Sequence, residues 1–251
     1  MKKIFLYILA GSLCFSACKK DDDEVATFVE PDDIAIRNSY DDQAIQKFMD
    51  ENYLDVQGNI KTFSATDTAD DNYKKLSQLA PKTLPSGVIY IVRDGAQPAT
   101  GVTIDPFATD PNAKTQIRTM MRGTGYIATN TDGNVAFSSI GNIMNTINGD
   151  GSPVTDPLFY YVKNKTMTDA GKERSYYEIE GLQEGLKYFK GFQNMNDGDP
   201  YNLQGVIIVP SRAAFARDAH FPYSSTYSLK NTSFVFNFQI YKANPRPSGD
   251  Q

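Results

Sequence analysis

The sequence predicts an α+β fold, an antiparallel β-sheet wrapped around a short helix and preceded by a helical leader. Three observations carry that expectation. Apolar side chains alternate at Val88, Tyr90 and Val92 and again at Phe234, Phe236, Phe238 and Ile240, the period of a strand. Asp132-Gly133 is a hairpin-type turn. Strand patterns outnumber helical ones, and one short helical pattern stands between strands late in the chain.

Before the first element, Met1-Lys2-Lys3 is followed by an apolar run over 4–13 and then by Phe15-Ser16-Ala17-Cys18. A charged start, a short apolar stretch and small residues before a cut are the parts of a signal peptide, expected over residues 1–17. The run falls short of the roughly 20 residues that a spanning helix needs. Small residues directly before Cys18 resemble the lipobox of bacterial lipoproteins, which implies that Cys18 is lipidated and becomes the first mature residue. Lys19-Lys20-Asp21-Asp22-Asp23-Glu24 reads as the start of an acidic flexible tether over 18–40, since like charges repel and extend a chain. A Cys followed by Lys and several acids also resembles the surface-export signal of Bacteroidota lipoproteins. That implies an outer-membrane protein held by lipid at the cell surface.

Residues 41–83 are expected to be the helical leader and a linker. Ala44, Ile45, Phe48, Met49 and Leu54 fall on one stripe of a helix over 41–54, with Asp41 and Asp42 at its favourable end and Gly58 to stop it. Residues 61–80 read as linker or a short helix, and Asp67-Thr68-Ala69 as a solvated loop. The main domain is expected over 84–243. Its strands are a segment around 88–92, ended by Asp94-Gly95, then 117–127, 159–162, 176–179, 205–209 and 233–241. The run 205–209 is apolar throughout, as a strand covered on both faces would be. Leu182, Leu186 and Phe189 share one face of a helix over 181–192. Residues 140–157, rich in Gly, Asn and Asp, read as an exposed insertion, and 244–251, with two prolines, as a disordered tail.

Composition removes several classes of function. The chain has 251 residues, 25 basic against 30 acidic, a formal charge of −5 and no basic block, which argues against nucleic acid as a partner. It has one His, His220, and two Cys, both in the first eighteen residues. A transition-metal site and a thiol nucleophile are therefore not expected, nothing around His220 supports a His-based triad, and no cofactor is expected. Asn194 to Asp199 lacks the spacing of a Ca²⁺ loop, and Gly123-Thr124-Gly125 lacks the continuation of a nucleotide loop.

Several short motifs occur in a telling order. They are Ser86-Gly87-Val88-Ile89-Tyr90, Asp94-Gly95, Gly123-Thr124-Gly125, Asp132-Gly133, Phe137-Ser138-Ser139, Ile179-Glu180-Gly181-Leu182-Gln183-Glu184-Gly185-Leu186, Val209-Pro210-Ser211-Arg212-Ala213-Ala214-Phe215-Ala216 and Phe234-Val235-Phe236-Asn237-Phe238-Gln239-Ile240. This order resembles the FKBP-type peptidyl-prolyl cis-trans isomerases, and the helix before it resembles the leader of that family's lipoprotein members. The resemblance implies a dry pocket for a proline ring, lined by Phe137, Ile179, Leu182, Phe215 and Phe236, with the Ile179 N–H donating to a substrate carbonyl. Such a pocket needs no acid, base or metal. Rotating the X–Pro bond removes amide resonance, so an apolar site that holds the twisted form favours the transition state.

The chain departs from the family at the polar positions. Gly123 stands where the family has a Tyr, Ser138 where it has an Asp, Leu182 where it has a Trp and Phe215 where it has a Tyr. Two functions stay open at this point. One is a lipid-anchored isomerase or folding helper acting on proline-containing polypeptides outside the inner membrane. The other is a noncatalytic surface module of the same fold that binds a peptide or protein partner. An open apolar cleft would favour the first and a filled one the second.

Overall fold

The computed structural model describes residues 28–107, 114–147, 151–223 and 227–248. The expected signal peptide, Cys18, the first part of the tether and the last three residues of the tail lie outside the described residues.

Helix α1 (Ile34–Glu51) begins where the Asp33 carboxylate accepts the Ala35 N–H at 2.7 Å, which satisfies one of the free donors of the first turn. It starts earlier than the 41–54 expected and takes in residues 34–40, which the sequence had placed in the tether. Its buried stripe is Arg37, Asp41, Ala44, Ile45 and Met49. The first two look like surface charges and are not. Arg37 bonds Asp41 at 2.9 Å, the Ala128 carbonyl at 2.8 Å and the Asn231 carbonyl at 2.9 Å. The other oxygen of Asp41 accepts the Ser211 N–H at 3.0 Å and the Ser211 hydroxyl at 2.5 Å. These bonds clasp α1 to segments far along the chain. Burial raises the Asp41 carboxyl above the usual range, while Arg37 and Ser211 pull it down.

The chain then forms a small hairpin, β1 (Asn52–Leu54) and β2 (Ile60–Thr62). Gly58 lies in its turn with φ +84°, and a Cβ there would come within 2.7 Å of the Leu203 carbonyl. It shapes this turn and does not end the helix, which stops at Glu51. Within 61–80 the structure has a 3₁₀ turn, Leu76–Gln78.

The remaining strands are β3 (Lys82–Thr83), β4 (Ile89–Val92), β5 (Val102–Thr103), β6 (Thr115–Thr131), β7 (Asn134–Asn145), β8 (Val154–Thr155), β9 (Lys190–Gly191), β10 (Gly205–Val209) and β11 (Ser233–Pro245). Helices α2 (Asn164–Ala170) and α3 (Glu180–Leu186) lie between β8 and β9. The main sheet runs β3-β4-β10-β11-β6-β7, antiparallel throughout, with β8 beside β6. The fold is α+β, as the strand-rich pattern predicts.

The sheet is covered on both sides. Ile207, Val209, Phe234, Phe236, Phe238 and Ile240 meet Leu182 and Leu186 of α3. Val206, Ile208 and Val235 face the other way, against Ile45 and Met49 of α1 with Leu54 and Leu76. Every residue of β10 is therefore buried, which its unbroken apolar run requires. Gly181 and Gly185 let α3 sit close, since a Cβ on either would come within 2.7 Å of Val209 or Ile207.

Other expectations need correction. Strand β7 continues to Asn145, so the first third of the supposed insertion 140–157 is sheet edge. Residues 159–162 and 176–179 are not strands; the first is buried loop, and the second begins with the last residue of a 3₁₀ turn, Arg174–Tyr176. The tail is ordered at its start. Pro245 pairs with Thr115 in the sheet, and Arg246 is buried, bonded to Asp156 at 2.5 Å and laid over the Tyr161 ring at 3.3 Å. Two prolines look like a disordered end only while the partners of Arg246 are unseen.

Candidate functional site

Four of the five expected pocket residues come together. Ile179, Leu182, Phe215 and Phe236 belong to one core cluster on the α3 face, none more than 4% exposed. The space between them is occupied. Phe159 is fully buried there, its ring 6.1 Å from Phe215, 5.4 Å from Phe234, 6.4 Å from Phe236 and 5.2 Å from Tyr223. Among the described residues, a cavity of about 10 Å³ lies beside it toward Ile143, Tyr227 and Leu229, room for one water at most. The Ile179 N–H donates to the Phe159 carbonyl at 2.9 Å, so the donor expected for a substrate is engaged within the chain. Gly123, where the resembled family has a Tyr, has the Phe236 ring 3.0 Å from where its Cβ would be.

Phe159 is held by a polar frame. Its φ of +70° is left-handed, a conformation that a bulky residue adopts only when its surroundings impose it. The next residue bonds its hydroxyl to the Thr115 carbonyl at 2.6 Å, and the Tyr160 carbonyl accepts Gln183 at 2.7 Å. Glu178 accepts the Val162 N–H at 2.8 Å, Arg174 at 2.6 Å and Gln183 at 2.8 Å. Sequence reasoning missed this plug because Phe159-Tyr160-Tyr161-Val162 reads as an ordinary strand. Above it Tyr223, itself 40% exposed, closes on the Phe159 ring. His220 stacks on Phe215 with centroids 4.6 Å apart, so it packs against an aromatic ring and is only part exposed.

Phe137 is not with the others. The register runs unbroken from the Thr131↔Asn134 pair at the turn to Tyr126↔Ser139, and its shifts, at Gly125/Tyr126 and Gly123/Thr124, come only after Phe137. Phe137 pairs with Ala128 and turns to the α1 side, stacked on Tyr126 at 5.0 Å and edge-on to Phe48 at 6.0 Å.

That displaced ring borders the open site. A groove of about 520 Å³ lies between the end of α1 and the sheet. Its floor crosses Asn237 and Val235 of β11, Arg122, Thr124 and Tyr126 of β6, and Phe137, Ser139 and Asn142 of β7. Lys47, Phe48, Glu51 and Asn52 of α1 form a wall, with Ile60 and Thr62 of β2 closing one end. Polar side chains there hold one another: Thr124 donates to Asn142 at 2.9 Å, Thr62 to Asn52 at 2.8 Å, and Lys47 to Asn134 at 3.1 Å. Burial raises the Tyr126 phenol. The volume falls in the range of small-ligand and side-chain pockets, and its lining combines aromatic faces with amides and hydroxyls. A second hollow of about 640 Å³ lies at the opposite edge of the sheet, beside Tyr73, Leu79, Lys82 and Tyr90. Among the described residues, no group of three or more His, Cys, Asp and Glu is placed to hold a metal ion.

No protein-family model matches the chain, and no curated protein matches it. Among solved structures, it is similar to FkpA from Escherichia coli at 18% identity and TM-score 0.35, over 66% of this chain and 53% of that one. The chain thus spans about half the length of that protein. It is also similar to a peptidyl-prolyl cis-trans isomerase from Pseudomonas syringae pv. tomato at 13% identity and TM-score 0.36, over 86% of this chain and 99% of that one. Likenesses this weak carry no argument, and the fold class rests on the strands and helices themselves.

Proposed function

We propose that this chain is an FKBP-type module whose isomerase pocket is closed by its own side chains, and that it works by holding a polypeptide partner. Lipid on Cys18 anchors it to the outer membrane, with the folded part at the cell surface. The motif order supports the family, and the sequence around Cys18 supports the anchor. The single observation that carries the noncatalytic reading is Phe159, buried among Ile179, Phe215, Phe234 and Phe236 with the Ile179 N–H bonded to its carbonyl. Catalysis needs a place where a twisted X–Pro bond is held better than a planar one. A cavity of about 10 Å³ beside Phe159 holds no proline ring.

Exchange spectroscopy on a short X–Pro peptide tests the reading. The expected result is an unchanged cis/trans exchange rate in the presence of the folded protein. Acceleration would restore the isomerase, with proline-containing polypeptides as substrates. Incorporation of a labelled fatty acid, lost in Cys18→Ser, tests the anchor, and protease access on intact cells tests the surface location.

A further inference from the structure

The two edges of the main sheet are built differently. Strand β3 has two residues, carries Lys82 and is flanked by Pro81 and Pro85, the devices by which edge strands avoid pairing. Strand β7 has 12 residues, and the sequence from Gly133 to Gly149 contains neither a charge nor a proline. Its outer positions Ser138, Ser139, Ile140, Gly141 and Asn142 are exposed.

The hairpin fixes which backbone groups point outward. Asp132 and Gly133 have φ of +53° and +83°, a two-residue turn of the primed type, so Thr131 and Asn134 close it with mutual bonds. Alternation then directs Asn134, Ala136 and Ser138 toward β6, and Val135, Phe137 and Ser139 away from it. Among the described residues, none bonds the outward N–H or carbonyl of those three. Of these three Ser139 is exposed, Phe137 half-buried and Val135 buried, and an unpaired row of this kind is satisfied by another strand.

The groove ends at the same place. Its floor crosses β11 and β6 and reaches β7 at Phe137, Ser139 and Asn142. A strand laid along β7 passes the mouth of the groove, and its alternate side chains point to the side of Tyr126 and Phe137. We infer that β7 receives an extended peptide by strand addition, and that one aromatic side chain of that peptide enters the groove against the stacked Tyr126 and Phe137 rings. This rests on the reading that the chain binds a polypeptide, and it places the binding away from the closed pocket.

A second copy of the chain fits the edge less well. The side chains that a partner β7 would present on this side include Val135, packed on Ala44, and Phe137, packed on Phe48 of its own α1. Neither is available to fill the groove. A peptide with a free ring is.

The probes are a short capped peptide of threonine and serine with one central phenylalanine, and the same peptide with alanine there. Each is titrated into the labelled protein and followed by backbone amide shifts. Saturable shifts at Val135, Phe137, Ser139 and Asn142, with tighter binding of the phenylalanine peptide, support the inference. Ser139→Pro removes an outward N–H, and with it the hydroxyl that accepts the Gly141 N–H at 3.1 Å. It should weaken binding by about tenfold or more. Asn142→Trp leaves every backbone group in place and blocks the groove mouth, so it should lower the preference for phenylalanine over alanine. Absence of saturable shifts with either peptide overturns the inference, and so does binding unaltered in both variants. A concentration-dependent dimer that Ser139→Pro dissolves overturns it in favour of a second copy. Shifts at Ile179, Leu182 and Phe236 instead overturn it together with the closed-pocket reading.

Discussion

The two faces of the sheet use their aromatic residues in opposite ways. On the α3 face Phe159, Phe215, Phe234 and Phe236 are packed ring against ring, with a cavity of about 10 Å³ beside Phe159. On the α1 face Phe48, Tyr126 and Phe137 also touch, but they border a groove of about 520 Å³. The helices are attached differently too. Helix α3 is pressed onto β10 through two glycines, whereas α1 is held at its start by the buried Arg37–Asp41–Ser211 bonds and parts from β7 toward its end. Rings of the same kind thus close a cluster on one face and border a groove on the other.

The largest effect that would sharpen this contrast is at Phe159. Phe159→Ala should cost about 3–5 kcal/mol in urea denaturation, because it empties the centre of a close-packed cluster. Phe159→Gly should be less destabilising than Phe159→Ala by about 1–2 kcal/mol, since it relieves a left-handed φ. The reverse order would show that the backbone there is not strained. Neither measurement depends on activity.

On the other face, Arg37→Ala should cost about 3–5 kcal/mol by leaving Asp41 buried without its cation. The pH dependence carries a distinctive sign. Asp41 has a folded pKa raised above 3.8, chiefly by burial. Its own contribution is therefore fully present below 3.8 and is lost as pH rises through the folded value. The difference in stability between wild type and Asp41→Asn, followed from about pH 3 to pH 7, should shrink across that window. A difference that grows instead would mean that Arg37 outweighs burial.

Phe137→Ala should cost about 1–2 kcal/mol, less than Phe159→Ala, because its ring is part exposed at the groove. Equal losses at the two positions would erase the distinction between the faces. Ile140→Lys, at an exposed edge position, should change thermal stability by less than about 0.5 kcal/mol.

Much of this was written in short-range pattern. The alternation in β11, the unbroken apolar run of β10, the Asp132-Gly133 turn and the start of α3 each need only a few neighbouring residues to be read. The rest depends on distant partners. Arg37 and Asp41 read as solvated until Ala128, Asn231 and Ser211 are seen around them. Phe137 could be placed on the correct face only by following the pairing from the Asp132-Gly133 turn to Ala128, which packs on Ala44 of the distant helix α1. Phe159-Tyr160-Tyr161-Val162 has strand composition, yet Gln183 bonds the Tyr160 carbonyl and Glu178 the Val162 N–H, which hold it as a buried loop. The candidate groove was harder still, because its lining comes from α1, β2, β6, β7 and β11.

The position of β11 bears on the order in which this protein is made. The last strand in sequence is an inner strand of the sheet, bonded to β10 on one side and β6 on the other. The first helix is fastened to residues 91, 170 and 194 positions later. A ribosome releasing the chain from its amino end therefore produces α1 and the long β6/β7 hairpin well before the strand that joins them to β10 exists. The uncharged β7 edge waits through that interval beside exposed apolar faces. Contacts so widely separated slow folding, and they leave the unfinished chain dependent on whatever shields it until residue 245 emerges.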